Sequence, residues 1–208
     1  MFEKVLPENG AEIIESLSPH INDFYLAGGT GLALQLGHRK SLGLDFFSSE
    51  IFNTEVFLKN IHPDKTLLVR EETIHCEIGK VKFSFLFYNQ PLVFPTLTWR
   101  GIKLADWRDI TAEKIKAIAQ RGTKKDFYDL FAVLQLRLSI DEACGIFKKR
   151  FASTDVNMYH VLKSITFFEE AEEEPPPILL VKDEGWRWEK VKEFFEKNIK
   201  QFEKSLFT

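Results

Sequence analysis

The sequence predicts an α/β (α+β) chain in two parts, an α/β half over residues 1–105 and a helical half over residues 106–208. Short apolar segments broken by glycine and proline fill the first half, as expected for strands and short helices. Within it, Val81 to Tyr88 alternates apolar and polar residues, which indicates a strand with one buried face. From Asp109 onward, apolar residues recur at helical spacing.

In the first half, turn residues separate the predicted elements. Gly37 is the glycine signal that ends a helix, and Gly79-Lys80 suits a turn between two strands. The predicted helices cover residues 4–17, 32–36 and 51–60, and the predicted strands cover residues 23–27, 42–47, 66–70, 73–78, 81–88 and 101–104.

In the second half, capping residues and apolar stripes predict helices. Asp109 is expected to cap a helix that runs to Arg121, and Thr123 to cap the next. Further helices are predicted over residues 159–170 and 191–202, joined by an acidic, proline-rich connector over residues 172–177.

Composition excludes several classes of protein. The 208 residues are 44% hydrophobic and 28% charged, and 20 Phe and 4 Trp supply enough apolar surface for a core, which excludes a long disordered chain. A net charge of −3 argues against a general polyanion binder. No apolar run reaches the roughly 18–20 residues of a membrane helix. The start of the chain lacks a secretory pattern, and two cysteines do not make a disulfide framework, so we expect a cytoplasmic protein without a membrane partner.

The most informative segment runs from Phe24 to Phe47. It reads as a strand, a Gly28-Gly29-Thr30 turn, a helix and a second strand. Glycines at a helix N-terminus let the backbone approach an anion, and the first N–H groups of the helix can bind phosphate. The same residues also suit an ordinary strand-to-helix turn, so the pattern alone leaves both interpretations open.

This segment resembles the AbiEii/AbiGii toxin family of the nucleotidyltransferase superfamily. Three further segments strengthen the resemblance, and together the matches span roughly residues 24 to 195. The matching segments are Gly28-Gly29-Thr30 with residues 32–39, Leu44-Asp45-Phe46-Phe47, residues 109–130 with Lys114, Arg121 and Asp126, and residues 159–175.

The resemblance implies a fold, a reaction and partners. The fold would be a small mixed sheet flanked by helices, followed by a C-terminal helical bundle that completes a nucleotide cleft. The reaction would transfer a nucleoside monophosphate from an NTP to an acceptor such as tRNA, another RNA or a protein, with Mg²⁺ or Mn²⁺ as cofactor. The chain would be the toxin of a bacterial toxin–antitoxin or abortive-infection system, with an antitoxin protein as partner.

The resemblance also implies the role of individual residues. Asp45 would bind the metal ion and, with Lys114, act in catalysis. The nucleotide would be bound by Gly28, Gly29, Thr30, Lys114, Arg121 and Asp126.

This sequence departs from the family pattern at one position of the metal site. Family sequences read Asp-x-Asp-Phe-Phe at the second strand, whereas this chain has Gly43-Leu44-Asp45. A third acid on a later strand would align with Ser84, or with Glu77 if the register differs. Gly43 leaves three interpretations open: a weak enzyme, an enzyme with a rebuilt metal site, or a catalytically degenerate module that binds nucleotide or a protein partner without transfer. Gly43 favours the last of these, whereas the retained Asp45, Lys114 and Arg121 oppose it.

Other interpretations of the candidate residues remain open from the sequence. Asp45 could form a salt bridge or cap at a strand end. Lys114 and Arg121 lie seven residues apart and share a helix face, which is also typical of a solvated basic stripe. Asp126 could pair with Arg121 or help to position the nucleotide or metal. Neither Cys76 nor Cys144 has a neighbouring motif for thiol catalysis or zinc.

Overall fold

The computed structural model describes residues 1–208, which form two compact units, Met1–Asp106 and Trp107–Thr208. The first unit contains all seven strands and the second is helical. None of the helices is both long enough and apolar enough to cross a membrane.

The first unit is built on one mixed sheet, as predicted. Its strand order is β3-β4-β5-β2-β1-β7-β6, with β2 parallel to β5 and antiparallel to β1. The predicted hairpin over residues 73–88 is confirmed, whereas β6 was not predicted. The strands are β1 (Tyr25–Leu26), β2 (Gly43–Ser48), β3 (Lys65–Arg70), β4 (Thr73–Ile78), β5 (Val81–Phe87), β6 (Leu97–Trp99) and β7 (Ile102–Leu104).

Three α-helices complete the first unit: α1 (Gly10–Leu17), α2 (Gly28–Leu36) and α3 (Thr54–Ile61). The predicted helix over residues 4–17 is interrupted at Pro7, which separates a 3₁₀ turn at Glu3–Val5 from α1. Helix α3 begins later than predicted, because the Asn53 side chain caps it by accepting from the Val56 N–H. Helix α2 ends at Gly37, which is left-handed at φ 71°, as the glycine signal indicated.

The two faces of the sheet differ in chemistry because side chains alternate along each strand. On β2 and β5, Leu44, Phe46, Phe83 and Phe85 are buried in the aromatic core. The intervening residues face the other side, and register pairs Asp45 with Ser84, Ser84 with His75, and Lys82 with Glu77. The polar sheet face is defined here as Asp45, Lys82, Ser84, His75 and Glu77.

The second unit contains seven helices: α4 (Trp107–Gln120), α5 (Lys124–Leu136), α6 (Ile140–Arg150), α7 (Met158–Ser164), α8 (Glu169–Glu172), α9 (Trp188–Lys197) and α10 (Ile199–Phe207). Two predicted helices are each divided: the one over residues 159–170 forms α7 and α8, and the last one breaks at Asn198 into α9 and α10. Asp109 does not cap α4. It lies buried in the first turn and pairs with Arg150 at 2.8 Å.

Candidate active site

Asp45 lies on β2 against the start of α2. A Cβ built on Gly28 would lie 3.0 Å from Asp45 Oδ2, and Gly28 has φ +60°, a conformation that favours glycine. The Ala27 N–H also donates to the Asp45 carbonyl at 3.0 Å. The Asp45 carboxylate is half-buried and makes no hydrogen bond or ion pair within the protein. Its acceptor oxygens are therefore available to a ligand.

The three residues predicted to cradle phosphate form the first turn of α2. Helices leave their first N–H groups without intrahelical partners, so this turn can receive an anion beside Asp45. The Thr30 side chain, however, is buried and used within the protein. Its hydroxyl donates to the Gly43 carbonyl and bonds the Ser41 hydroxyl at 2.6 Å. Thr30 could therefore contact phosphate only through its backbone N–H. Its hydroxyl instead anchors Gly43, the first residue of β2.

The pairing register of β2 with β5 shows which residues lie beside Asp45 on the polar sheet face. Ser84, not a carboxylate, is its direct partner on β5, and Ser84 Oγ lies 3.1 Å from His75 Nδ1. Glu77 lies one strand further, opposite Lys82. A third acid is therefore absent from the strand next to Asp45.

The donor set limits the metal ion that this site can hold. Mg²⁺ is commonly bound through one or two carboxylates together with substrate phosphates. Asp45 supplies one carboxylate and Gly43 supplies no side chain, and no group of three or more His, Cys, Asp or Glu residues could hold an ion without a substrate. These residues fit one ion shared with a triphosphate, and they do not fit two ions held by protein carboxylates.

The other predicted site residues belong to a charge network in the second unit. Lys114 on α4 contacts two aspartates of α5, with Nζ 2.7 Å from Asp126 Oδ1 and 2.6 Å from Asp129 Oδ2. Arg121 Nε lies 2.9 Å from Asp126 Oδ2, and the Thr123 hydroxyl donates to the same oxygen. Two cations and two carboxylates thus neutralise one another.

Burial divides this network into an inner and an outer part. The side chains of Lys114, Asp126 and Asp129 are 6%, 1% and 0% exposed, whereas that of Arg121 is 63% exposed. Burial by itself raises the pKa of Asp126, but the charges of Lys114 and Arg121 outweigh it and hold that pKa at about 2, below the ordinary 3.8. Asp126 is therefore ionised at neutral pH and pairs with Arg121, one of the two roles that the sequence left open.

Lys114 and Arg121, the two residues predicted to contact the triphosphate, therefore differ in accessibility. Arg121 presents a guanidinium at the surface, where a phosphate can reach it. Lys114 is enclosed by carboxylates, so its charge orders α4 and α5 against each other and positions Asp126 for Arg121. The seven-residue spacing of Lys114 and Arg121 indicated that they share a helix face. It did not indicate that the Lys114 end of this face is buried.

The two cysteines are unsuited to nucleophilic chemistry. Both are buried, and burial raises the pKa of the Cys76 thiol to about 11 and that of Cys144 to about 12. Neither thiol is therefore ionised near neutral pH, and an un-ionised thiol is a poor nucleophile.

The first unit combines a strand, a helix that begins at Gly28 and a second strand with an unpaired carboxylate, and the fold matches that of nucleotidyltransferase toxins. MenT4, a nucleotidyltransferase toxin from Mycobacterium tuberculosis H37Rv, has a similar structure: the TM-score is 0.59 at 16% identity, over 94% of this chain and 89% of that one. JHP933 from Helicobacter pylori aligns with a TM-score of 0.47 at 16% identity, over 92% of this chain and 89% of that one.

Sequence comparison assigns the family. The profile of the family described as "Nucleotidyl transferase AbiEii toxin, Type IV TA system" matches residues 80–204, more than half of the chain. An uncharacterised Aquifex aeolicus protein, aq_aa25, is 36% identical over 189 residues, which cover 87% of this chain and 88% of that protein. This chain therefore belongs to the AbiEii nucleotidyltransferase toxin family, as the motifs indicated.

Proposed function

We propose that this chain is a toxin that transfers a nucleoside monophosphate from an NTP to an acceptor in the bacterial cytoplasm. The observation that carries the proposal is the unpaired Asp45 carboxylate against the Gly28 backbone at the N-terminus of α2. An acceptor hydroxyl attacks the α-phosphorus, the bond from that phosphorus to the β-phosphate oxygen breaks, and pyrophosphate leaves.

Some residues of the chain would orient the triphosphate, and others would neutralise its charge. The first-turn N–H groups of α2 bind phosphate oxygens, and the Thr30 hydroxyl holds β2 in place beside them. Asp45 would hold one divalent ion together with the triphosphate, and such an ion neutralises charge on the transferred group. Arg121, whose side chain is exposed, would supply a guanidinium contact to phosphate.

The proposed partners follow from the family. An antitoxin protein would restrain the activity, because the family is that of a toxin–antitoxin system. RNA, with tRNA as the leading candidate, is the proposed acceptor. A protein acceptor is the other possibility.

The test is a label-transfer assay with the full chain. Each of the four NTPs, labelled at the α-phosphate, is incubated with the protein, total RNA and Mg²⁺ or Mn²⁺. We expect label in RNA or protein that is lost in Asp45→Asn and retained in Asp23→Asn, a control at an exposed acid of the same unit. Transfer from γ-labelled NTP would instead indicate phosphoryl transfer and would contradict the proposal.

Gly43 supports a second candidate function, a module that binds nucleotide or a protein partner without transfer. It removes one of the two carboxylates that the family pattern places on β2. Nucleotide binding without label transfer under every metal condition would establish this second function and exclude the first.

A further inference from the structure

Lys82 is placed beside the position where this chain lacks a carboxylate. In the parallel register of β2 and β5, Gly43 pairs with Lys82 and Asp45 pairs with Ser84. Directly paired residues point to the same side of a sheet, so the Lys82 side chain shares the polar sheet face with Asp45. The burial pattern agrees, because Val81 and Phe83 are buried while Lys82 is exposed.

Gly43 leaves space at this point of the face. A Cβ built on Gly43 would lie 3.5 Å from the Lys82 carbonyl oxygen and 3.8 Å from Lys82 Cβ, which are ordinary contact distances. A side chain at position 43 would therefore fit and would lie directly against Lys82. The absence of a side chain at position 43 leaves room for a ligand group on the sheet face beside Lys82.

The Lys82 ammonium makes no ion pair within the protein. Glu77 on β4 is its direct cross-strand partner, but the two side chains form no salt bridge. Asp45, the other nearby acid, is likewise unpaired, so Lys82 shares this face with two carboxylates and pairs with neither. A lysine ammonium on a flexible stem is a common phosphate ligand.

The presence of Lys82 and the lack of a carboxylate at position 43 make this site less negative than one with carboxylates at both positions 43 and 45. Two carboxylates repel a triphosphate unless metal ions lie between them. On this face the Lys82 ammonium offsets one of the two carboxylate charges, those of Asp45 and Glu77, and it attracts phosphate directly. The arrangement can therefore bind part of a triphosphate without an ion.

We propose that Lys82 binds a phosphate group of the nucleotide, in the place of the metal ion that a carboxylate at position 43 would hold. The inference rests on the proposed function and adds a positively charged phosphate ligand to it. The site then needs only the single ion at Asp45.

The test measures binding rather than activity. Isothermal titration calorimetry of the full chain is carried out with tripolyphosphate and with each of the four NTPs, first in EDTA and then in Mg²⁺. Lys82→Gln removes the charge, and Lys65→Gln is the matched control. Lys65 pairs with Glu77, so it belongs to the same cross-strand row but lies two strands further from Gly43.

We expect Lys82→Gln to weaken metal-free binding of tripolyphosphate and of the bound NTP about tenfold or more, the loss typical of a charged hydrogen bond. Lys65→Gln should remain within about twofold, well under the tenfold that 1.4 kcal/mol represents. Gly43→Asp in the wild-type background should also weaken metal-free binding, since the carboxylate introduced at position 43 would pair with Lys82. The double variant Gly43→Asp/Lys82→Gln has two carboxylates on β2 and no ammonium beside them. It should therefore bind tripolyphosphate and NTP only when Mg²⁺ is present.

Equal binding by Lys82→Gln and wild type in EDTA would overturn the inference, as would wild-type binding that requires Mg²⁺. Label transfer distinguishes this failure from failure of the proposed function. A wild type that transfers label in an Asp45-dependent way while Lys82→Gln binds normally refutes only the role of Lys82. A wild type that neither binds nor transfers refutes both.

Discussion

The buried charge network of the second unit yields a quantitative prediction. Lys114→Met keeps much of the apolar stem of Lys114 but removes the ammonium that lies 2.7 Å from Asp126 and 2.6 Å from Asp129. Both carboxylates are almost fully buried, so the substitution leaves charge in the interior with less compensation.

The magnitude follows from what remains. Removing one partner from a buried ion pair costs about 3–5 kcal/mol. Arg121 and Thr123 still contact Asp126, so we expect a loss at the lower end, about 3 kcal/mol in the free energy of unfolding. For a chain of this size, that corresponds to a fall in Tm of about 6–12 °C.

The pH dependence supplies a second measure of the same network. The pKa of Asp126 is lowered to about 2, so its ionisation stabilises the folded state above pH 3.8, and this stabilisation is lost as the pH falls towards 2. It amounts to about 2 kcal/mol. In Lys114→Met, burial is opposed only by Arg121 and the Thr123 hydroxyl, so the pKa of Asp126 should rise and this acid-dependent loss should shrink.

Thermal and urea unfolding, followed by circular dichroism from pH 2 to 7, test both expectations. Lys125→Met is the control, because Lys125 is exposed on the same helix as Asp126 and should change stability by less than about 0.5 kcal/mol. A Lys114→Met variant that is as stable as Lys125→Met at pH 7 would refute the structural role of Lys114. Lys114 would then be a candidate for direct catalysis.

Two further predictions concern the start of α2. Gly28→Ala adds a methyl group 3.0 Å from Asp45 Oδ2 at a residue with φ +60°. It should lower stability by about 1 kcal/mol and reduce label transfer by displacing the carboxylate, and wild-type transfer would contradict the close contact. Thr30→Val removes two buried hydrogen bonds and should cost about 1–3 kcal/mol in urea unfolding, whereas Thr30→Ser should recover most of the loss.

The sheet and its carboxylate were predictable because they depend on local patterns. Alternation along residues 81–88 identified a half-buried strand, and apolar residues on both sides of Asp45 placed it on a second strand. The parallel pairing of these strands joins residues far apart in sequence, so no local pattern reveals that Lys82 lies opposite Gly43.

In the second unit, helical sequence patterns did not predict every helix or the burial of individual side chains. Helix α6 was missed although its signal is present: Ser139 and Glu142 form a capping box. The depth of Lys114 could not be predicted, because helical spacing assigns a face but not what packs against it. Aspartate is a common helix cap, but Asp109 lies inside the first turn of α4 and pairs with Arg150, a partner 41 residues away that local sequence does not indicate.

The most direct test of the central claim is transfer of α-labelled nucleotide by the full chain and by folded Asp45→Asn. We predict metal-dependent labelling of RNA or protein by the wild type, and a loss of at least about a hundredfold in Asp45→Asn, with Asp23→Asn unchanged. Equal labelling by the wild type and Asp45→Asn would contradict the role of Asp45. The absence of labelling by a wild type that binds nucleotide would contradict the transferase function itself.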